Sequence, residues 1–269
     1  MKSKVDIKKI AKSTIMLEGE SILRLEQYIN DDFTEIISKI INSKGRLIVS
    51  GIGKSANVAQ KMVSTFNSTG QPSIFMHAAD AIHGDLGNVQ LNDIVLCISK
   101  SGNTEEIKVL VPLIKNLGNS IIAMTANLDS FLANNSDWII NTYVEKEACP
   151  NNLAPTCSTT AQLVMGDALA VCLLESRGFK DIDFARYHPG GTLGKQLLMK
   201  IGELCLNRPA PQVSINSSIS EVIVEISKNR LGASAIIQNN KLLGIITDGD
   251  IRRMLEDNIK WYDFKAIDI

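Results

Sequence analysis

The sequence predicts an α/β protein, with a three-layer αβα domain built on a five-stranded parallel sheet and a small α+β unit after it. Three observations predict this. Five short β-branched runs, nearly all apolar, punctuate the first half of the chain, and strands apolar on both faces belong to parallel sheets covered by helices on both sides. Stretches of roughly 10–20 residues separate them, the length of a helical crossover between parallel strands. The chain has 269 residues, more than an ordinary domain of ~100–200, which leaves room for a second unit. The pattern is flavodoxin-like or Rossmann-like. With 45% hydrophobic and 21% charged residues, the chain buries enough apolar surface to offset ordering entropy, so it is globular.

Residues 5–42 carry apolar positions at helical spacing, Ile7, Ile10, Ile15, Leu17, Ile22 and Leu25, then Phe33, Ile36, Ile37, Ile40 and Ile41. Two amphipathic helices are therefore expected before the first strand. The strands are expected at Leu47–Ser50, Ser73–Met76, Ile94–Ser99, Ser120–Thr125 and Trp138–Thr142. A long helix should run from about Thr159 to Arg177 and stop at Gly178. Its apolar stretches Leu163–Met165 and Ala168–Leu174 suit the core or a subunit interface. The phrase RYHPGGTLGKQL then breaks regular structure, and NRPAPQ at Asn207–Gln212 marks a linker. The expected division is a domain over 1–206, a linker over 207–212 and a unit over 213–269. That last unit reads as helix Ser220–Arg230, strand Ala233–Ile237, turn Gln238–Lys241, strand Leu242–Thr247 and helix Gly249–Leu255. So small a βαββα-like unit is marginal alone and should lean on the first domain or on a partner copy.

Twenty-eight Lys and Arg against 29 Asp and Glu give a net charge of −1, so no basic field argues for nucleic acid or membrane partners. Any anionic ligand must be held by a local site. Aromatics are 5% of residues, which argues against base-stacking platforms and points to a small polar substrate. The five cysteines, Cys97, Cys149, Cys157, Cys172 and Cys205, are odd in number and form no CxxC pair. They read as thiols in a reducing compartment. The N-terminal MKSKVDIKKIAKS lacks an apolar signal core, and no run of ~18 consecutive apolar residues follows, so a cytoplasmic location without a membrane span is expected.

In an open parallel sheet the ligand crevice lies beyond the carboxyl ends of the strands. The first strand runs into Ser50-Gly51-Ile52-Gly53-Lys54-Ser55. Ile48 stands where a Walker A loop needs glycine. Gly51, Gly53 and Ala56 fit GxGxxG/A, but the acidic residue a dinucleotide requires after the second strand is not in place, because the nearest is Asp80, beyond His77. What remains is a glycine turn whose amides and Ser55 face a helix N-terminus, an anion site. The third strand runs into Ser99-Lys100-Ser101-Gly102-Asn103-Thr104-Glu105-Glu106. Its hydroxyls can donate to phosphate oxygens; alternatively they form a helix cap with a capping box. Ser158-Thr159-Thr160 repeats the pattern at the start of the long helix.

SGIGKS, STGQPSIFMHAADAIHGDLG, SKSGNTEEI, KEACPNNLAPTCSTTAQLVMGDALA and HPGGTLGKQL together resemble the sugar isomerase (SIS) domain of D-arabinose-5-phosphate isomerases over about residues 5–200. The resemblance implies interconversion of D-ribulose 5-phosphate and D-arabinose 5-phosphate, feeding the sugar acid Kdo of lipopolysaccharide and capsule. It implies catalytic roles for Lys54, Glu106, Glu147 and His188. It places Gly70, Gln71 and His83 at the sugar, beside the hydroxyls of Ser55, Ser99, Ser101, Thr104, Ser158 and Thr159. It also implies a homotetramer with sites shared between subunits, and His77 at a position where inhibitory zinc can bind. No cofactor is required. Moving a proton between C-1 and C-2 through an enediolate needs a base, an oxyanion stabiliser and help with ring opening. Glu147, Glu106 or His188 would shuttle the proton and Lys54 would stabilise the oxyanion. The alternatives are a sugar-phosphate-sensing regulator using the same pocket, and an isomerase of another sugar phosphate. A sensor has no use for the acid–base set, and no helix-turn-helix or basic patch for an output is visible.

Gly244-Ile245-Ile246-Thr247-Asp248-Gly249-Asp250-Ile251-Arg252 resembles the signature end of a CBS module. In such modules the positions of Thr247 and Asp250 touch a nucleotide, and the modules work in pairs. The sequence ends at Ala266–Ile269, where a second copy is expected to begin. A plain strand-to-helix turn with an aspartate cap is the other reading of Thr247 and Asp250.

Overall fold

The fold is that of a computed structural model, which describes residues 6–200, 202, 210–256 and 260–269. Helix α1 (Ile7–Leu23) starts where the Asp6 carboxylate accepts the Lys9 amide at 3.0 Å. A short 3₁₀ turn leads to α2 (Asp31–Asn42), whose cap residue Asn30 accepts the Phe33 amide. Phe33, Ile36 and Ile40 of α2 are buried on one stripe, spaced as an amphipathic helix requires.

The strands β1 (Leu47–Gly51), β2 (Ser73–His77), β3 (Ile94–Ile98), β4 (Ser120–Thr125) and β5 (Trp138–Asn141) pair in parallel in the order β2-β1-β3-β4-β5. All five expected strands form, with ends shifted by no more than a residue. Their alternate residues feed two cores. Leu47, Val49, Leu96, Ile98, Ile122 and Met124 meet α1, α2, α3 (Lys54–Ser68) and the long helix α7 (Cys157–Ser176). Ile48, Val95, Cys97, Ile121 and Ala123 meet α4 (Ala78–Ala81), α5 (Glu105–Asn116) and α6 (Phe131–Asn134). Strands β1 and β3 are buried along their whole length, which explains why their sequences lack polar alternation.

Helix α7 is long and apolar enough, by length and composition alone, to cross a membrane, yet half of it is buried inside the fold. Cys157, Ala161, Met165, Leu169 and Leu173 pack into the first core. A side chain at Gly166 would come within 2.6 Å of Met62 on α3, so this glycine permits the close approach of the two helices. The cysteines seen, Cys97, Cys149, Cys157 and Cys172, are free thiols, and burial pushes the Cys97 thiol up to about 12. Cys205 lies outside the described residues.

Helices α8 (Asp181–Tyr187) and α9 (Thr192–Leu198) follow. The chain divides into two compact units between Leu197 and Leu198. In the second, β6 (Gln212–Val213) pairs in parallel with β7 (Ala233–Gln238), which pairs antiparallel with β8 (Lys241–Thr247). Gln212, placed in the linker by the sequence, is thus the first residue of a strand, while Asn207–Pro209 of that linker lie outside the described residues. Helix α10 (Ile219–Asn229) begins with a capping box between Ser218 and Glu221. With α11 (Asp248–Glu256) it packs Val222, Ile226 and Met254 against Ile236 and Ile246 of the sheet. Asn239 and Asn240, at φ +50° and +60°, make the two-residue hairpin turn that joins β7 to β8.

Candidate active site

The order of the sheet reverses between β1 and β3, and the loops leaving these two strands diverge there to open a crevice. A cavity of about 340 Å³ occupies it, lined by residues from three segments: Ile52–Ser55, the loop from Ile98 to Thr104, and Pro155–Gln162 at the start of α7. Gly53, at φ +58°, makes the turn that lets α3 begin at Lys54. Lys54 and Ser55 therefore stand at a helix N-terminus facing the cavity. Ser55 Oγ donates to Oε1 of the buried Gln162 at 3.1 Å, tying the first loop to α7.

In the β3 loop, Gly102 at φ +64° donates its amide to Ser99 Oγ at 3.2 Å, and Ser101 Oγ accepts the Asn103 amide. A side chain at Gly102 would collide with Ser130, so only glycine fits. Thr104 occupies the cap position of α5 but makes no capping bond. Its hydroxyl is buried and has no hydrogen-bond partner, and the same holds for Ser158 in the first turn of α7. A buried polar atom left unpaired costs ~1–3 kcal/mol. Two such hydroxyls line one cavity beside helix N-termini and Lys54, an arrangement of donors of the kind that suits an anion. The cap reading of the serine-rich loop is therefore not realised at Thr104. Thr159 turns its hydroxyl to the Thr156 carbonyl at 2.9 Å.

Glu147 sits directly behind this wall with its side chain 1% exposed. Its Oε1 accepts from Lys100 Nζ at 2.6 Å, and its Oε2 accepts from the Thr156 amide, the Thr156 hydroxyl and the Ser158 amide. Burial alone would raise this carboxyl. The hydrogen bond from Lys100, the nearby Ser158 hydroxyl and the two amides outweigh it and hold the pKa at about 2. The group is a fixed anion. Lys100 and Gln162 are cavity residues that no sequence motif singles out. Lys100 lies inside the hydroxyl loop, but its partner is 47 residues away, and Gln162 is one helical turn beyond Ser158 on the same face of α7.

The SIS domain family matches residues 39–172 and the CBS domain family residues 201–257. A probable arabinose 5-phosphate isomerase of Haemophilus influenzae is 45% identical over 250 residues, 93% of this chain and 74% of that protein. The arabinose 5-phosphate isomerase KdsD of Pseudomonas aeruginosa is 44% identical over 261 residues, 96% of this chain and 80% of the relative. The chain belongs to the arabinose 5-phosphate isomerase family. An Escherichia coli CFT073 protein solved in complex with arabinose 5-phosphate shares its fold at TM-score 0.66 and 38% identity, covering 68% of this chain and 98% of that one.

The remaining residues that the isomerase resemblance singles out fall into two groups. Glu106 is half-buried in the first turn of α5, two residues past Thr104. His77 ends β2 beside Gly51, at the carboxyl edge of the sheet, and His83 is exposed in the turn after α4. These lie on the cavity side. Gly70 and Gln71 precede β2 and so occupy the opposite, amino edge of the sheet, a strand length of roughly 16 Å away. There Arg177 donates to the Gly70 carbonyl and to Gln71 Oε1. A side chain at Gly70 would strike the Phe179 ring, which stacks on Tyr187. His188 follows Tyr187, its ring stacked on Phe184 and its Nδ1 3.0 Å from the Phe184 carbonyl. A carbonyl only accepts, so Nδ1 carries the proton and Nε2 is left free. Among the described residues, one chain does not bring His188, Gly70 or Gln71 to its own cavity.

His77 Nδ1 lies 3.7 Å from Asp80, and among the described residues no cluster of three His, Cys, Asp or Glu suited to a metal is found. That pair supplies at most two of the three or four protein ligands of an ordinary zinc site. In the CBS unit, Asp250 accepts the Thr247 amide and hydroxyl at 2.8 and 2.6 Å, and the Asp250 amide returns to Thr247 Oγ1. This reciprocal cap is the structural reading of the pair. A nucleotide contact would have to open it.

Proposed function

We propose that this chain interconverts D-ribulose 5-phosphate and D-arabinose 5-phosphate, moving a proton between C-1 and C-2 through an enediolate. The observation that carries this is the pairing, in one cavity, of unpartnered buried hydroxyls at Thr104 and Ser158 with the lysine of the glycine turn. The hydroxyls, with the N-termini of α3, α5 and α7, hold the phosphate. Lys54 stabilises the oxygen that becomes negative as the C–H proton leaves. Glu147 is held by four donors, Lys100 on Oε1 and three groups of Thr156 and Ser158 on Oε2, and its low pKa makes it a poor base, so the proton shuttle falls to Glu106 or His188.

A second copy of the chain supplies the amino-edge group, Gly70, Gln71 and His188, to the sugar end of the cavity, within a homotetramer. Ile7, Ile15 and Leu23 of α1 are more than 70% exposed and provide apolar surface for such packing. No metal is needed for proton transfer assisted by an ammonium group, and zinc at His77 would inhibit rather than assist. The product feeds Kdo for lipopolysaccharide or capsule in the cytoplasm. Incubation of the purified chain with ribulose 5-phosphate and a panel of hexose phosphates, with and without EDTA, tests the reading. Turnover of the pentose phosphate that survives EDTA is expected. Loss of turnover on chelation would refute the metal-free reaction, preference for a hexose phosphate would reassign the substrate, and binding without turnover would make the chain a sensor.

A further inference from the structure

Isomerisation by Lys54 and a proton shuttle leaves two features of the cavity wall without a role. The first is a buried carboxylate at an anion site. Glu147 stands behind the first turn of α7, where a phosphate dianion would be repelled by it, and four donors already hold it, Lys100 on Oε1 and three on Oε2. The second is Lys100, whose side chain is 44% exposed and lines the cavity while its ammonium is anchored at one point, 2.6 Å from Glu147 Oε1. An ammonium has three donors. One is taken by Glu147 and two remain for the cavity.

We infer that Lys100 is a substrate-contacting residue that binds the phosphate group, and that Glu147 is a positioning residue that holds Lys100 against the unpartnered hydroxyl of Ser158. The geometry runs through a single carboxylate. Oε1 takes Lys100 and Oε2 takes the amide of Ser158, so the lysine of the β3 loop and the first turn of α7 are drawn together across one carboxyl group. The backbone of Lys100 is fixed as well, since its carbonyl accepts from the Ala126 amide and the Thr125 hydroxyl. A free lysine gives up rotamer freedom when it binds a ligand, at a cost in affinity. Glu147 removes much of that cost beforehand, and its own charge is offset by the amides behind it. This places two cations, Lys54 and Lys100, on opposite loops of the cavity, one for the reacting oxygen and one for the phosphate. The assignment rests on the sugar-phosphate reading of this cavity and extends it to residues outside the acid–base set.

Titration of the full chain with inorganic phosphate by calorimetry, run beside steady-state kinetics on ribulose 5-phosphate, tests this in Lys100→Met, Lys100→Arg, Glu147→Gln and the Lys100→Met/Glu147→Gln double variant. Loss of a charge-assisted bond should weaken phosphate and raise KM by roughly tenfold to a hundredfold in Lys100→Met, with kcat within about threefold. Lys100→Arg should recover part of the phosphate affinity. Glu147→Gln alone should weaken phosphate by several-fold and add little in the Lys100→Met background, because its effect runs through the lysine. The double variant removes both charges of the pair and leaves no buried carboxylate unpaired, so it remains informative if Lys100→Met alone folds poorly. Unchanged phosphate affinity in a folded double variant would overturn the proposal. So would a further large fall in kcat on adding Glu147→Gln to Lys100→Met, which would return Glu147 to proton transfer. If the native chain binds phosphate but turns over no ribulose 5-phosphate, the isomerase reading fails while the phosphate titrations still decide the role of Lys100.

Discussion

Two strand-to-helix turns in this molecule look alike in sequence and differ in what their hydroxyls do. At the end of β3, Thr104 precedes α5 and leaves its hydroxyl buried and unpaired; at the end of β8, Thr247 precedes α11 and shares a reciprocal cap with Asp250. Threonine at a helix start is ordinarily a cap worth ~1 kcal/mol. The β8 turn gains that stabilisation and has little left to offer a ligand. The β3 turn forgoes it, and Ser158 at the start of α7 does the same. The two helix starts therefore use the same residue type differently, one leaving its hydroxyl unpaired on a cavity wall and the other bonding it into its own cap.

The largest test of that contrast is at Lys54. Removing a single oxyanion donor typically costs a hundredfold to a thousandfold in turnover, on the order of 3–4 kcal/mol. Lys54→Met should therefore lose at least about a hundredfold in kcat on ribulose 5-phosphate with its melting temperature unchanged. Near-native turnover would show that the cavity at the carboxyl edge is not where the chemistry happens.

The strands could be read because β1 and β3 are buried on both faces and their sequences say so without interruption. The glycine turn and the hydroxyl loop could be read for a similar reason. Gly53 and Gly102 adopt positive φ, which the chain meets with glycine, and the loop hydroxyls around them are close in sequence, although what forbids a side chain at Gly102 is the distant Ser130. The pair of Lys100 and Glu147 could not be read, since it depends on how the loops after β3 and β5 meet. Nor could the placement of Gly70 and Gln71, which motif matching groups with the sugar site and which the fold puts at the far edge of the sheet, bonded to Arg177. Local motifs carry local geometry. Which edge of a sheet a motif occupies is a property of topology.

A pH titration sharpens the contrast at the level of carboxylates. Glu147 is buried and held by four donors, with its pKa lowered from 4.5 to about 2. Because the folded value lies below the unfolded one, its contribution is complete above about pH 4.5 and is lost as pH falls toward 2. A shift of this size corresponds to about 3 kcal/mol. Asp250 is lowered too, chiefly by the Thr247 hydroxyl, but its side chain is in part open to water, where solvent screens such interactions. Denaturation monitored between pH 5 and pH 2 should therefore show a loss of stability in the native chain that is largely absent in Glu147→Gln. It should be nearly unchanged in Asp250→Asn. Equal acid sensitivity in Glu147→Gln would mean that the carboxylate is not held as an anion in the folded protein.

The smallest effects decide most directly between the two kinds of turn, because one substitution in each unit should give opposite results. Ser158→Ala removes a hydroxyl that meets no close hydrogen-bond partner within the fold, so all it deletes is a weak pull on the Glu147 carboxylate, and it relieves a buried unpaired group. Its stability should stay level or rise slightly, while KM for the sugar phosphate rises by roughly tenfold as one donor to the phosphate disappears. Thr247→Val keeps the side-chain shape and removes both hydroxyl bonds to Asp250. It should lower stability by about 1 kcal/mol and leave turnover untouched. Chemical denaturation and initial rates, measured on both variants, give four numbers that must split in this crossed pattern. Were Ser158→Ala to destabilise the chain with KM unchanged, its hydroxyl would belong to the fold after all. A rise in KM from Thr247→Val would instead show that the C-terminal turn takes part in holding the substrate.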